Sequence, residues 1–400
     1  MLDAYIYDGL RTPFGRHAGK LAPVRPDDLL AGVMQALVAR SKLPLERLED
    51  VIIGCTNQAG EDSRNVARNA LLAAGLPATT PGQTVNRLCA SGLAAVLDAA
   101  RAITAGEGEL YLAGGVESMS RAPFVVAKAE SAYQREMKSY DTTMGARFPN
   151  SRVIERYGAD TMPETGDNVA RDFGVSRTDA DQFAAGSQAN YAHAKASGFF
   201  NGEIEPVAVS TGRKTPPTIV SEDEHPRPET DLAALTRLKP LFDGGVVTAG
   251  NASGINDGAA ALFIGSKAIG ERCGVKPLAR ILAGAAVGVE PRIMGVGPAY
   301  AIPKALERAG LTLPDMDIIE INEAFASQVL GCLKIMNLAF DDARINPHGG
   351  AIAIGHPLGA SGARLALTAA RALQARGQRY AAVSLCIGIG QGLAVILERV

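Results

Sequence analysis

Apolar residues follow two different spacings along this chain. Continuous runs at 51–53 and 110–113 favour buried strands that are covered on both sides. Between them, residues 93–103 repeat apolar side chains at helical spacing. The pattern therefore predicts strands that flank a long helix with at least one buried face.

The same pattern occurs a second time. Residues 90–103 (ASGLAAVLDAARAI) resemble residues 360–373 (ASGARLALTAARAL), and 360 − 90 gives an offset of 270 residues. The strand-like runs before and after the first copy also have counterparts around the second. Each copy predicts a strand, a loop, a long helix and a strand, so the chain is expected to be α/β with two duplicated halves facing each other.

A region of different character separates the two copies. It is more charged, contains irregular proline-rich stretches and has one clear helical piece near 179–196. We interpret it as a loop domain that covers a site. The predicted organisation is an N-terminal half of residues 1–120 plus 251–270, a loop domain of residues 121–250 and a C-terminal half of residues 271–400.

Composition and charge narrow the class of protein. The chain has 400 residues, of which 47% are hydrophobic and 20% charged, which is typical of a folded protein of two domains. Its formal net charge of −2 provides no basic field for nucleic acid or an anionic membrane. The longest apolar region, 381–397, is interrupted by glycines and polar residues, which predicts two buried strands rather than a membrane helix.

The cysteines are odd in number and widely spaced. None forms a C-x-x-C pair, so neither structural zinc nor a disulfide framework is expected, and no metal site is predicted. Together with an N-terminus that lacks a secretory pattern, this makes the cytoplasm the expected location. The five cysteines are Cys55, Cys89, Cys273, Cys332 and Cys386.

Two cysteines and one histidine stand beside turns of small residues. Cys89 directly precedes the first repeated helix, whose unpaired N–H groups and dipole are expected to favour a thiolate. His356 precedes the second repeated helix, and Cys386 ends a strand followed by Gly388. Because equivalent turns of facing halves would meet, the set suggests a covalent acyl enzyme with a separate proton shuttle. The alternatives are an inert buried cysteine, a structural histidine and an ordinary glycine-rich turn.

Asn322 follows the apolar strand 318–321 and has two interpretations. Its amide would hold a water that donates to an oxyanion. Asparagine after a strand also often caps a helix, and the two roles are compatible.

At this point the sequence resembles the thiolase family over about residues 4–400. The resemblance implies a thiolase fold with duplicated α/β halves in a five-layer αβαβα arrangement and an inserted loop domain. It also implies acyl transfer between coenzyme A thioesters by a homodimer or homotetramer, with coenzyme A as a substrate and no cofactor. The specific blocks are 86–92 (NRLCASG), 114–120 (GGVESMS), 322–325 (NEAF), 349–362 and 386–392 (CIGIGQG).

The resemblance also implies a role for each candidate catalytic residue. Cys89 would be the nucleophile that becomes an acyl thioester, and His356 would be the base that activates it. Cys386 would be the acid/base at the α-carbon of the acetyl unit. Asn322 would hold the water of one oxyanion hole, and the backbone N–H groups of Cys89 and Gly388 would form the other.

Two further residues resemble contacts to coenzyme A in the family. Ser253, in the turn 251–254, resembles a pantetheine contact. Arg227 resembles a residue near the adenine end of coenzyme A.

Within the family, the sequence resembles the branch that cleaves 3-oxoadipyl-CoA to succinyl-CoA and acetyl-CoA in the breakdown of aromatic compounds. Ile389 departs from the triple-glycine version of its motif, and the stretches 141–148 and 160–165 also resemble that branch. His348 stands where the family pattern more often has asparagine. The distal carboxylate of such a substrate would need a cation, and the candidates are Arg147, Arg152 and Arg121. The alternative is that each of these arginines is a solvated surface charge.

Three alternatives remain open from the sequence. The first is a general 3-ketoacyl-CoA thiolase or acetyl-CoA C-acetyltransferase. The second is a decarboxylating condensing enzyme, which would have a second histidine where this chain has Cys386. The third is a non-catalytic acyl-CoA binding protein.

Overall fold

The computed structural model describes residues 1–210, 212 and 215–400. Its strands are β1 (Ala4–Arg11), β2 (Gly15–Arg16), β3 (Leu48–Gly54), β4 (Gly82–Val85), β5 (Leu110–Ser118), β6 (Phe124–Val126), β7 (Ser139–Asp141), β8 (Val207–Val209), β9 (Thr218–Val220), β10 (Asn256–Gly265), β11 (Ala279–Gly288), β12 (Ile318–Ile321), β13 (Tyr380–Ile387) and β14 (Gln391–Glu398). Its α-helices are α1 (Pro26–Arg40), α2 (Val66–Ala73), α3 (Ser91–Ala105), α4 (Ser151–Tyr157), α5 (Met162–Phe173), α6 (Arg177–Ala196), α7 (Leu232–Thr236), α8 (Lys267–Cys273), α9 (Gly297–Ala309), α10 (Ala326–Ile335), α11 (Ala351–Ile354) and α12 (Leu358–Arg376).

The main sheet consists of two half-sheets joined by one antiparallel pairing. The N-terminal half-sheet has the order β1-β10-β5-β3-β4, and the C-terminal half-sheet has the order β11-β14-β13-β12. Strand β1 joins β11, with Tyr5 opposite Arg280. The strands that flank each repeated helix pair in parallel, β3 with β5 and β12 with β13. The duplication predicted from the sequence is therefore confirmed in the strand order.

Hydrophobic cores divide the molecule into five layers. Helices α3 and α12 form the middle layer and share one core with the inner faces of both half-sheets. Helices α1, α2 and α8 cover the outer face of the N-terminal half-sheet, and α9 and α10 cover that of the C-terminal one. Alternation along β12 follows the same division, because Ile318 faces the middle core and Ile319 faces the outer core. The predicted αβαβα arrangement is confirmed.

One stretch, residues 88–105, has the length and apolar composition of a membrane span, with a mean hydropathy of 1.4. Most of this stretch forms α3. Helix α3 packs in the middle layer between the half-sheets, where Leu93, Val96 and Leu97 are fully or almost fully buried. Its apolar character therefore matches a position at the centre of the fold.

The two middle helices approach until backbone meets backbone. A Cβ atom added to Gly92 would lie 2.5 Å from the carbonyl oxygen of Gly359 and 2.9 Å from the amide nitrogen of Ala363. Gly362 likewise faces the backbone of Leu93. Non-bonded atoms do not normally approach this closely. The glycines that the repeat shares at equivalent positions therefore allow α3 and α12 to pack in direct contact.

Residues 121–250 form an irregular region that reaches both halves. Helices α5 and α6 pack on α10, while the β8–β9 hairpin contributes Val209 and Val220 to the outer core of the N-terminal half. The predicted helical piece near 179–196 is α6, which begins after a capping box at Ser176. The sequence analysis missed α5, although Thr161 and Glu164 form a capping box at its start.

A buried ion-pair network holds this region to the central sheet. The guanidinium of Arg11 donates to Asp223 from Nη1 at 2.6 Å and from Nη2 at 2.9 Å. Its Nε donates to Glu203 at 2.7 Å. These three side chains are fully buried, and the Tyr191 hydroxyl also donates to Asp223 at 3.1 Å. Removing one partner would leave a buried charge uncompensated, which typically costs about 3–5 kcal/mol.

The predicted boundary between the halves needs one correction. A division after residue 270 would cut α8, which runs from Lys267 to Cys273. Ile269 and Val275 pack in the outer core of the N-terminal half. The N-terminal half therefore continues through α8, because the apolar face of that helix has its partners there.

We expect Gly92→Ala to destabilise the protein by about 1–3 kcal/mol or more, because the added methyl would push α3 away from α12. Gly32→Ala in α1 is the matched control, since nothing lies within 4 Å of its added Cβ. That variant should gain about 0.5–1 kcal/mol from a better helix former. Denaturant unfolding measures both, and equal stability of the two variants would contradict the proposed packing.

Candidate active site

The turn before α3 places Cys89 at the junction of the two halves. The Asn86 side chain accepts a hydrogen bond from the amide of Leu88 at 3.0 Å. The Ser91 hydroxyl donates to the Leu88 carbonyl at 2.6 Å and accepts from the amide of Arg87 at 2.9 Å. Leu88 adopts a left-handed conformation, with φ of 46°. These bonds fix a tight turn that directs the Cys89 side chain.

The Cys89 sulfur faces two backbone donors. The N–H groups of Gly388 and of Cys89 itself point at the sulfur and favour its charged form. Burial has the larger effect and raises the pKa of the Cys89 thiol to about 11. The backbone donors therefore act in the expected direction, but burial outweighs them. Near pH 7 the residue is a neutral thiol, and it is only partly exposed.

His356 lies in the equivalent turn, before α12. Its backbone N–H donates to the side-chain oxygen of Asn256 at 2.8 Å. Its Nδ1 lies 2.7 Å from the hydroxyl of Ser361, which itself donates to the carbonyl of Pro357 at 2.9 Å. Because that hydroxyl proton is already used, Nδ1–H must be the donor, so Nε2 carries the lone pair. Nε2 lies 3.3 Å from the amide nitrogen of Asn322.

The imidazole of His356 is neutral in this setting. Burial and, to a smaller extent, the positive charge of Arg364 lower the pKa of His356 to about 3. Nε2 is therefore unprotonated throughout the neutral pH range, with Asn322 Nδ2 as its hydrogen-bonding neighbour.

The contact between α3 and α12 brings the turns of Cys89 and His356 to one place. Cys89 lies three residues before Gly92, and His356 lies three residues before Gly359. The backbones of these two glycines are in contact. The two halves thus contribute the sulfur and the imidazole from equivalent turns, although His356 lies three residues before the repeat equivalent of Cys89.

Cys386 contributes a second thiol at the end of β13. It lies opposite Gly392 of β14 and packs with Met294 and Phe325. Burial raises the pKa of the Cys386 thiol well above its usual range, and the charge of the neighbouring Cys89 raises it further. The two sulfurs are therefore close enough to interact, and Cys386 is a neutral proton donor at pH 7.

Asn322 directly follows β12, and its fully buried side chain lies beside the imidazole. Its backbone N–H donates to the carbonyl of Ser384 at 3.0 Å, which ties it to β13. Helix α10 starts only at Ala326, with Phe325 in the N-cap position. The helix-cap interpretation of Asn322 is therefore wrong, and its amide is available to the site.

The turn that carries Gly388 is strained. Ile389 adopts a φ of 65°, which is unusual for a β-branched residue, and its side chain is 67% exposed. A Cβ on Gly388 would lie 3.3 Å from Leu88 Cδ1 and 4.0 Å from Met162 Sδ. Leu88 and Met162 therefore border the space around the backbone donor, and sequence analysis assigned no role to either of them.

Ser253 and Arg227 are linked to the loop after Asn322 by a series of contacts. The amide of Ser253 donates to the carbonyl of Ala324 at 2.9 Å, so it adjoins the loop after Asn322. Arg227 is exposed, and its charge acts on His225, whose ring lies against Gly254. The two predicted coenzyme A contacts thus follow one connected stretch from the centre to the surface.

The three candidate arginines differ in their surroundings. Arg121 is engaged by Glu61 through Nε and Nη2, so its guanidinium is already paired. Arg152 is exposed on α4, and Arg147 is half-buried. The stretch around Arg147 is anchored where Thr142 accepts from the Asn57 side chain at 2.9 Å.

Three residues that support the site escaped sequence analysis. Asn256 and Ser361 hold the two sides of His356, as described above. The buried carboxylate of Glu117 accepts backbone N–H bonds from Asn57 at 3.1 Å and from Gly359 at 2.9 Å. One signal was present, because Ser361 is the repeat equivalent of Ser91, which braces the Cys89 turn.

The arrangement has the parts of nucleophilic acyl transfer. A partly exposed thiol has backbone donors for developing negative charge and a second thiol for proton transfer, and the turn that carries a neutral imidazole meets its own turn where α3 and α12 touch. Among the residues that the structure describes, no group of three or more His, Cys, Asp or Glu side chains is placed to hold a metal ion.

Comparison with known proteins gives consistent matches over the whole chain. Residues 4–268 match the family model described as thiolase, N-terminal domain, and residues 275–399 match thiolase, C-terminal domain. The chain is 56% identical to a beta-ketoadipyl-CoA thiolase of Acinetobacter baylyi, over 100% of both chains. It is 55% identical, over the same share, to a 3-oxoadipyl-CoA/3-oxo-5,6-dehydrosuberyl-CoA thiolase of Escherichia coli. The human mitochondrial 3-ketoacyl-CoA thiolase in complex with CoA superposes with a TM-score of 0.91 at 38% identity, covering 100% of this chain and 98% of that one.

We expect the alkylation rate of Cys89 by iodoacetamide to rise about tenfold per pH unit between pH 7 and 10, because only the thiolate reacts. Peptide mass spectrometry measures the modification at this residue, and Cys89→Ser identifies the background. A rate that levels off below pH 9 would show that the free protein holds a thiolate.

Proposed function

This chain belongs to the thiolase family, and we propose that it cleaves 3-oxoadipyl-CoA with coenzyme A to give succinyl-CoA and acetyl-CoA. The observation that supports the chemistry is the contact of α3 with α12, which brings the turns of Cys89 and His356 together, while Cys386 interacts with Cys89. The substrate is supported by full-length identity of 55–56% to thiolases named for it, beta-ketoadipyl and 3-oxoadipyl being the same acyl group.

In the first half of the reaction, the sulfur of Cys89 attacks the 3-keto carbon of the substrate. His356 Nε2 accepts the thiol proton, since Nδ1–H is held by Ser361. The bond between C2 and C3 then breaks, and its electron pair remains on C2 of the departing acetyl-CoA. Cys386 donates its proton to C2, so the first product leaves neutral and the acyl group stays on Cys89.

In the second half, the thiol of coenzyme A attacks the acyl thioester on Cys89. The thiolate left on Cys386 accepts the thiol proton of coenzyme A. The Cys89–acyl bond then breaks to release succinyl-CoA, and His356 returns its proton to the sulfur of Cys89. The N–H groups of Cys89 and Gly388 face this position and stabilise the negative oxygen of the tetrahedral intermediate. Losing one such donor typically costs about 100- to 1000-fold in rate.

The thiol of Cys89 and the imidazole of His356 are both uncharged before the substrate binds. A high pKa for Cys89 and a low pKa for His356 keep both groups neutral. The thiolate and imidazolium therefore form only together with attack on the substrate, when the donors also bind an oxyanion. The neutral resting state is consistent with a site that excludes water.

Coenzyme A acts as a substrate, bound along the stretch from Ser253 to Arg227, and no cofactor takes part. We place the enzyme in the cytoplasm as a homodimer or homotetramer. The distal carboxylate is assigned to Arg147 or Arg152, since Arg121 is held by Glu61.

We expect kcat/KM for 3-oxoadipyl-CoA to exceed that for acetoacetyl-CoA by about 10- to 100-fold, because a hydrogen-bonded charge contributes about 1.5–3 kcal/mol. The matched substrate is 3-oxohexanoyl-CoA, which has the same chain length without the carboxylate and should also be poor. A preference for acetoacetyl-CoA would identify a general thiolase or acetyl-CoA C-acetyltransferase instead. Absence of turnover and of acylated Cys89 with every substrate would identify a binding protein.

We expect Cys386→Ala to acylate normally at Cys89 when given acetyl-CoA, yet to lose exchange of the α-proton by about 100- to 10,000-fold. Peptide mass spectrometry measures the acylation, and deuterium uptake into acetyl-CoA measures the exchange. Cys273→Ala, on α8, is the control and should keep both activities. Normal α-proton exchange in Cys386→Ala would remove Cys386 from this role.

A further inference from the structure

Buried polar atoms without hydrogen-bond partners are concentrated between β12 and α12. Both carboxylate oxygens of Glu320 and all three nitrogens of the Arg364 guanidinium lack a partner within the described part of the chain. The hydroxyl of Thr368 also lacks one. All three side chains are fully buried. A single orphan would be ordinary, but six such atoms from three neighbouring side chains require an explanation.

These side chains lie on β12 and α12, which pack against each other. Arg364 and Thr368 are one turn apart on α12 and share a helical face. Glu320 lies two residues before Asn322, so the two side chains share one face of β12, about 7 Å apart along the strand. Ile318, on the same face, packs in the middle core with α12.

The two charges in this space are close but do not meet. Glu320 and Arg364 influence each other electrostatically. Yet no nitrogen of Arg364 lies within 4.0 Å of an oxygen of Glu320. A guanidinium and a carboxylate left dry in the interior would each cost several kcal/mol. Something that both donates and accepts hydrogen bonds must therefore lie between them.

We propose that a cluster of buried waters fills this space and links Glu320 and Arg364 to Asn322, which makes both charged residues positioning residues for the catalytic amide and imidazole. Water fits because the orphan atoms include donors and acceptors with one positive and one negative charge. A bound anion would be repelled by Glu320, and a bound cation would be repelled by Arg364. The Oδ1 of Asn322 is a further buried atom without a partner among the described residues, so it is the acceptor at the end of the water cluster nearest the catalytic residues.

The link gives Asn322 a fixed orientation. With Oδ1 held by water from below, Nδ2 is directed at His356 Nε2, 3.3 Å away. The imidazole is fixed on its other side by Ser361 at 2.7 Å. Misplacing a catalytic group by about 1 Å can cost about 100-fold in rate. The cluster would therefore affect kcat although no member touches the substrate.

The same residues set the charge around the imidazole. The positive charge of Arg364 opposes protonation of His356. Ionised Glu320 offsets that charge, and burial raises the pKa of Glu320 to about 7. Below that pH Glu320 is neutral, so Arg364 is uncompensated and His356 accepts the Cys89 proton less readily. Activity should therefore rise as the pH increases through about 7.

Other charged groups also act on Glu320. Arg376 on α12 lowers its pKa, whereas Glu323 after β12 and Glu203 before β8 raise it. The neighbouring strand β13 places uncharged Val383 opposite Glu320. Arg364 has the largest charge effect on Glu320, so the pair dominates the response.

The decisive variant is Glu320→Gln, which keeps the shape of the side chain but removes its charge. Because this inference rests on the proposed function, the assay uses whichever 3-oxoacyl-CoA the wild type cleaves best. We expect kcat to fall by about 10- to 100-fold, KM to stay within about twofold and the rise of kcat near pH 7 to disappear. Unchanged kcat and an unchanged pH profile would overturn the positioning role. A wild type without thiolysis would instead refute the proposed function.

Asp223→Asn is the matched control. It also removes a fully buried carboxylate, but one that pairs with Arg11 and is not among the groups that act on Glu320 or Arg364. This variant should lose thermal stability and keep its kcat. An equal loss of kcat in both variants would show a general effect of destabilisation. The double variant Glu320→Gln with Arg364→Gln should recover part of the lost kcat, because the uncompensated charge is gone.

A high-resolution crystal structure of the wild-type protein tests the cluster without any activity. Ordered water within hydrogen-bond distance of Glu320, Arg364 and the Asn322 side chain is expected. A direct ion pair between Glu320 and Arg364, or a dry gap, would overturn the proposal whatever the kinetics show.

Discussion

Direct backbone contact between α3 and α12 is the constraint on which the rest of the structure depends. Glycine at 92, 359 and 362 lets the first turns of the two helices touch. Each half-sheet then packs on one side of this pair and shares its core. Cys89 and His356 belong to the turns that enter the contact, so the geometry of the site follows from the closest packing in the molecule. A wider helix spacing would separate the sulfur from the base and loosen the middle core together.

The chemistry of the site depends on burial more than on formal charge. The same loss of solvation raises the pKa of both thiols and lowers that of the imidazole. Backbone N–H groups at Cys89 oppose the effect without reversing it. The protein thus keeps three reactive groups uncharged until a substrate excludes water and supplies an oxygen for the donors. The surrounding carboxylates, such as Glu117, hold backbone turns rather than taking part in proton transfer.

The sequence was most informative where the duplication repeated a local rule. The strand–helix–strand units, the meeting of their turns and the two strands at the C-terminus followed from apolar spacing and the 270-residue offset. The backbone donors near Cys89 could be expected from a helix terminus visible in the sequence, whereas the depth of burial that outweighs them could not. Asn322 was ambiguous for a similar reason, since only the structure shows that α10 starts four residues later. Met162 and Asn256 reach the site through tertiary packing, for which local patterns give no signal.

The order of assembly follows from the middle layer. Helix α3 finds its partner in α12, and the corresponding positions are 270 residues apart in the chain. At a synthesis rate of about 5–20 residues per second, the ribosome completes α12 roughly 15–50 s after α3, and the apolar faces of α3 lack their partner during this time. Such nonlocal pairing also slows folding, because the chain must close a long loop before the contacts form. Nascent chains of this protein are therefore expected clients of molecular chaperones, and a prematurely terminated chain would lack both its central packing and its catalytic base.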